Sequence, residues 1–149
     1  MRRKTFGLSL VLLLVANLMW SQENVNTKKG VAASGYDVVA YFDDEALKGK
    51  KEFTATYMDV TYRFASEANL SRFNENPDEF VPQYGGYCAY AIAEKSEKVG
   101  INPKTYQIQD GKLYLFYNSW GVNTLDKWNE AGAMNLQKKA DTNWKRITN

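Results

Sequence analysis

The chain has 149 residues, 19 Lys and Arg against 17 Asp and Glu, one cysteine and no histidine. Without histidine, Ser-His-Asp and Cys-His catalysis and any His-ligated metal site are excluded. A single cysteine excludes an intramolecular disulfide, so stability must come from packing, which the seven Phe, ten Tyr and four Trp suit.

Arg2, Arg3 and Lys4 precede an apolar run from Phe6 to Trp20 broken only by Ser9 and Asn17, the pattern of a secretory signal peptide over residues 1–22. The run is too short and interrupted for a membrane span, which needs about 20 apolar residues. Removing it takes away three basic residues and no acid, leaving 16 basic against 17 acidic and a net charge of −1. The remaining balance lacks the basic character that nucleic-acid binding requires. An exported protein of the periplasm or extracellular space is expected, with no stable membrane span once the signal is cleaved.

Residues 23–30 are polar and read as a flexible leader, and residues 31–149 as one domain. Gly35 to Phe42 reads as a turn followed by a β-branched apolar strand. Phe53, Ala55 and Tyr57 alternate with polar residues, Met58-Asp59 turns the chain, and Thr61 to Ala65 returns, which predicts a β-hairpin. Ser66 is a natural N-cap for a short helix carrying Leu70 and Phe73. Asn76-Pro77 with Glu79 predicts a second helical turn with a capping-box-like start, anchored by Phe80 and Val81 and ended by Pro82.

Pro82-Gln83-Tyr84-Gly85-Gly86-Tyr87-Cys88-Ala89-Tyr90 holds the only cysteine and the only Gly-Gly pair. Paired glycines mark positive φ or a close approach by another group. The small apolar residues that follow predict a tightly packed short helix. Asp110-Gly111 between Thr105–Gln109 and Lys112–Tyr117 is a strong hairpin signal, and the second strand, apolar on both faces, is expected to be central in its sheet. From Asn123 the pattern is helical, with Leu125 and Trp128, then Leu136, Ala140 and Trp144, on the apolar face and Gly132 as the break. The fold class is α+β: a small antiparallel sheet built from hairpins, packed with short helices and a C-terminal helical segment.

The order and spacing of Gly35–Phe42, Tyr62-Arg63-Phe64-Ala65-Ser66, Phe73 with Asn76-Pro77, Pro82–Ala91, Asp110–Leu115 and Ala140-Asp141 with Asn143-Trp144 resemble the exported YHS-domain-containing proteins of bacteria. The resemblance spans nearly all of the chain beyond residue 30. It implies a small α+β domain and carries no established activity. The wider YHS group is thought to bind metal through three cysteines, whose positions fall on Ala40, Ala65 and Asn69. None carries a thiol, so the resemblance implies a kept skeleton with its ligands gone.

The candidate ligand-binding residues are Tyr36, Asp37, Tyr84, Gly85, Gly86, Tyr87 and Cys88. Cys88 could be a soft ligand for copper or zinc with Met58, Asp37 or a phenolate beside it, a redox thiol, or a buried small hydrophobe among alanines. Tyr84, Tyr87 and Tyr90, with Tyr36 and Tyr41, could line an aromatic cleft or belong to the core. Tyr87 and Tyr90, three apart, are expected to share a helix face from which Cys88 points away. Asp37 could cap the Gly85-Gly86 amides or act as a general base. Asp43, Asp44 and Glu45 lack the spacing of a calcium loop and read as solvated. The leading expectation is a non-enzymatic domain binding a small ligand or metal ion near Tyr84–Cys88. A thiol-based redox protein or enzyme using Cys88, and a structural module engaging an envelope protein, are the alternatives.

Overall fold

The computed structural model describes residues 23–149. The segment read as a signal peptide lies outside the described residues. The domain is α+β, as the hairpin and capping signals predict.

Strands β1 (Thr27–Lys28) and β2 (Val31–Ala32) form a tight antiparallel pair. β2 then lies beside β4 (Val60–Phe64), which pairs antiparallel with β3 (Lys50–Tyr57), giving the order β1-β2-β4-β3. Met58 and Asp59 both take positive φ, the left-handed turn that matches strand twist. Residues 23–30 are therefore not a free leader: β1 joins the sheet, and Asn26 reaches across to the Gly85–Gly86 turn.

The predicted strand after Gly35 does not form. Tyr36 makes one isolated bridge to Lys48, and Ala40–Asp43 is a 3-10 turn. The cause is local: the Asp37 carboxylate accepts from the amides of Val39 and Ala40 and bends the chain into a turn. Val38 and Val39 are nevertheless fully buried, because their apolar surface is used in the core rather than in a ladder.

Helix α1 (Glu67–Glu75) begins as predicted, with Ser66 Oγ accepting from Asn69 N at 3.1 Å. Helix α2 (Pro77–Phe80) has its proline in the first turn, but Asn76 makes no side-chain cap; its amide instead reaches the Glu79 carboxylate at 3.4 Å. Helix α3 (Ala89–Lys95) follows the Gly-Gly turn and buries Ala89, Ala91, Ile92 and Ala93. Strands β5 (Asn102–Gln109) and β6 (Lys112–Phe116) form the hairpin at Asp110-Gly111. A short hairpin of β7 (Asn118–Ser119) and β8 (Val122–Asn123) carries Trp120 and Gly121 at its tip. Helix α4 (Thr124–Glu130) is capped by Asn123, and α5 (Ala133–Thr148) starts after Gly132.

β6 is not central in a sheet. It belongs to a two-stranded ladder, and it is buried because each face meets a different hydrophobic cluster. Leu113 and Leu115 enter the cluster built on Val38, Tyr41, Phe64 and Phe73. Tyr114 and Phe116 enter the one built on Tyr84, Ile92, Trp128 and Ala140. No helix among the described residues is long and apolar enough to cross a membrane.

Candidate functional site

The Gly-Gly turn is the centre of a close approach, and the approaching group is the chain itself. Tyr84, Gly85 and Gly86 all take left-handed φ, at 55°, 59° and 78°. This turns the carbonyls of Gly85 and Gly86 toward Asn26, whose backbone N–H donates to Gly85 O at 2.8 Å and whose Nδ2 donates to Gly86 O at 3.2 Å. A Cβ on Gly85 would stand 1.8 Å from Asn24 O. Lys98 closes the same junction: Nζ donates to Asn24 Oδ1 at 2.7 Å and lies 5.9 Å from the ring centres of Tyr87 and Trp144. Gly85, Gly86 and Tyr87 thus hold the N-terminal segment rather than a cleft.

The tyrosines do not gather around one opening. Tyr36 and Tyr41 sit in the first cluster, where Tyr41 packs on Tyr106 at 4.6 Å and donates to Pro103 O at 2.6 Å. Tyr84 sits in the second and donates to Asp141 Oδ1 at 2.8 Å. Burial holds the phenols of Tyr62 and Tyr114 up at about 12. Burial also raises Tyr41, and burial reinforced by the Asp141 hydrogen bond raises Tyr84. A raised folded-state value means stability present below the unfolded phenol's value near 10 and lost as pH climbs through the folded one. Above pH 10 the domain is expected to lose about 1.4 kcal/mol per pH unit for each such phenol. Absorbance titration of the phenolates, followed alongside circular dichroism, should show an exposed group of tyrosines ionising first and a second group appearing only with unfolding. A single transition near pH 10 with the fold intact would contradict this.

Asp37 is fully buried, and its carboxylate is saturated. Oδ1 accepts from Val39 N at 2.9 Å and Ala40 N at 3.1 Å; Oδ2 accepts from Ala65 N at 2.8 Å and Asn69 Nδ2 at 2.7 Å. It does not cap the Gly85-Gly86 amides, and no lone pair is left to take a substrate proton. The three positions onto which the YHS resemblance lays its cysteines, Ala40, Ala65 and Asn69, all hydrogen-bond this one carboxylate.

Cys88 is fully buried at the start of α3, its N–H donating to Val99 O at 2.9 Å. Its sulfur lies 3.3 Å from Thr124 Oγ1. The Thr124 hydroxyl proton is already given to Tyr117 O at 2.7 Å. With that proton given to Tyr117 O, the Thr124 oxygen faces the Cys88 sulfur as an acceptor. Because the helix begins only at Ala89, Tyr87 lies outside it. Cys88 and Tyr90, rather than Tyr87 and Tyr90, line a common cleft.

That cleft, about 470 Å³, opens between α3 and the segment running from Tyr117 through β8 into α4. Buried Cys88, Ala91 and Thr124 form its floor, Tyr90, Tyr117 and Val122 its sides, and exposed Lys95 and Lys127 its rim. Next to it, at the β7–β8 tip, Trp120 is 93% exposed. Of these residues, sequence reasoning singled out only Cys88 and Tyr90. The one signal that could have pointed to the rest is Ser119-Trp120-Gly121-Val122, a turn loaded with apolar residues that no core absorbs.

Among the described residues no group of three or more His, Cys, Asp or Glu side chains is placed to hold a metal ion. Cys88 is buried against Thr124, the Asp37 oxygens are filled, and Met58 is exposed on the β3–β4 turn. Of the exposed acids Asp43, Asp44 and Glu45, Asp43 is paired with Arg72, whose Nη1 lies 2.7 Å from its Oδ2. No family model, curated protein or solved structure matches the chain.

Proposed function

We propose that this is an exported, non-enzymatic YHS-like domain that binds a small ligand in the cleft above Cys88 and Thr124. The cleft carries the reading: at about 470 Å³ it falls within the size range of small-molecule sites and has the same makeup, apolar walls with a few polar groups. The YHS relationship is supported by the meeting of Ala40, Ala65 and Asn69 on Asp37, since residues well apart in the chain occupy the one place where a shared ligand set would have to sit. In this chain that place holds a carboxylate bound by amides in place of a metal bound by thiolates. The non-catalytic reading is supported by the absence of histidine, the saturated Asp37 and the full burial of Cys88 against Thr124.

The test is a fragment screen of the mature protein followed by amide chemical shifts. Fragments that bind should move the signals of Tyr90, Ala91, Val122 and Lys127 together and leave those around Asp37 in place. Binding confined to other surfaces, or no binding at all, would overturn the assignment of the cleft.

A further inference from the structure

The charges around the cleft are unbalanced in a way that selects among small ligands. Three charged residues line it: Glu94, Lys95 and Lys127. Glu94 is already paired, with Lys139 Nζ on α5 at 2.7 Å from its carboxylate. Neither the Lys95 nor the Lys127 ammonium is joined by a hydrogen bond or ion pair to any described residue. Lys95 ends α3, where a cation also meets the unsatisfied carbonyls of the helix, and Lys127 stands on α4 on the other side of the opening. The wall between them is apolar and aromatic, from Tyr90, Tyr117 and Val122. Two unpaired ammonium groups at the mouth of an apolar cleft complement one chemistry: a ligand with an apolar body and an anionic head.

We infer that the cleft takes an amphipathic organic anion, a carboxylate on an aliphatic or aromatic body, with the body against Tyr90 and Val122 and the head between Lys95 and Lys127. This rests on the cleft being the binding site. A neutral isostere keeps the apolar burial and loses only the charge-assisted contacts at the rim, so the two contributions can be separated.

The experiment is calorimetric titration of the mature protein with decanoate, decanol and decylammonium, on wild type, K95Q/K127Q and V122D. All three positions are solvent-exposed, so the variants should keep the fold, with circular dichroism as the check. Decanoate is expected to bind at one site per chain, about tenfold or more tighter than decanol, with decylammonium weaker still. K95Q/K127Q should bring decanoate down to the level of decanol without moving decanol, and V122D should weaken both. Raising the salt should narrow the gap between decanoate and decanol. Decanol binding as tightly as decanoate, or a decanoate affinity unmoved in K95Q/K127Q, would leave the cleft standing and overturn the anion inference. If neither amphiphile binds, or both bind at many sites indifferent to V122D, the cleft reading itself falls.

Discussion

Replacing Asp37 by asparagine is expected to cost roughly 3–6 kcal/mol, from two buried charge-assisted hydrogen bonds at about 1.5–3 kcal/mol each. The carboxylate receives four donors and offers none. An asparagine in its place must turn an NH₂ toward two of them, putting donor against donor in a fully buried site. Against a total stability of about 5–15 kcal/mol, that is enough to leave the domain partly unfolded at ordinary temperature. Urea denaturation of D37N reads the effect directly. The double exchange D37N/N69D should recover part of the loss, because the new amide can donate to the new carboxylate across the contact Asn69 now makes at 2.7 Å. The coupling in that cycle should exceed about 1 kcal/mol. A D37N variant within about 1 kcal/mol of wild type would show that the four contacts do not hold the turn in place.

Gly85→Ala should act on a different part of the molecule. The added methyl would fall 1.8 Å from Asn24 O, so the N-terminal segment and an alanine at 85 cannot both keep their places. Lifting the segment breaks the two Asn26 hydrogen bonds, and alanine at φ 59° adds about 1 kcal/mol of backbone strain, for a total of roughly 2–4 kcal/mol. Gly111→Ala is the control: its φ is +70° and nothing lies within 4 Å of its Cβ position, so it should cost only the strain. Hydrogen exchange resolves the two. G85A should lose protection over β1 and β2 while α5 keeps it, whereas G111A should leave β1 and β2 unchanged. Equal behaviour of the two variants would mean that the close approach at Gly85 carries no stability of its own.

What could be read from the chain was what neighbouring residues decide among themselves. Ser66 caps α1, Asp110-Gly111 turns a hairpin and Gly132 separates two helices because each acts over a few positions. Gly35 to Phe42 reads as a strand because the same composition serves a strand or a buried turn. The choice falls to Asp37, two of whose four partners lie 28 and 32 residues further on. The Gly-Gly pair did announce a close approach, but not which group approaches: Asn26 lies 60 residues before Gly86. The cleft was hidden for the same reason. Cys88, Tyr117 and Thr124 are unremarkable separately and meet only when α3 packs beside α4.

The position of β6 between two hydrophobic clusters governs the order in which the chain can fold as it emerges from the ribosome. Neither cluster can close before residues 113–116 have appeared, since one needs Leu113 and Leu115 and the other Tyr114 and Phe116. Roughly the first three quarters of the polypeptide therefore emerges before either cluster can close, although β3, β4 and Phe73 can already meet. The first cluster can close once β6 has appeared, whereas the second must wait further for Trp128, Leu136 and Ala140, so the C-terminal helices complete the interior last.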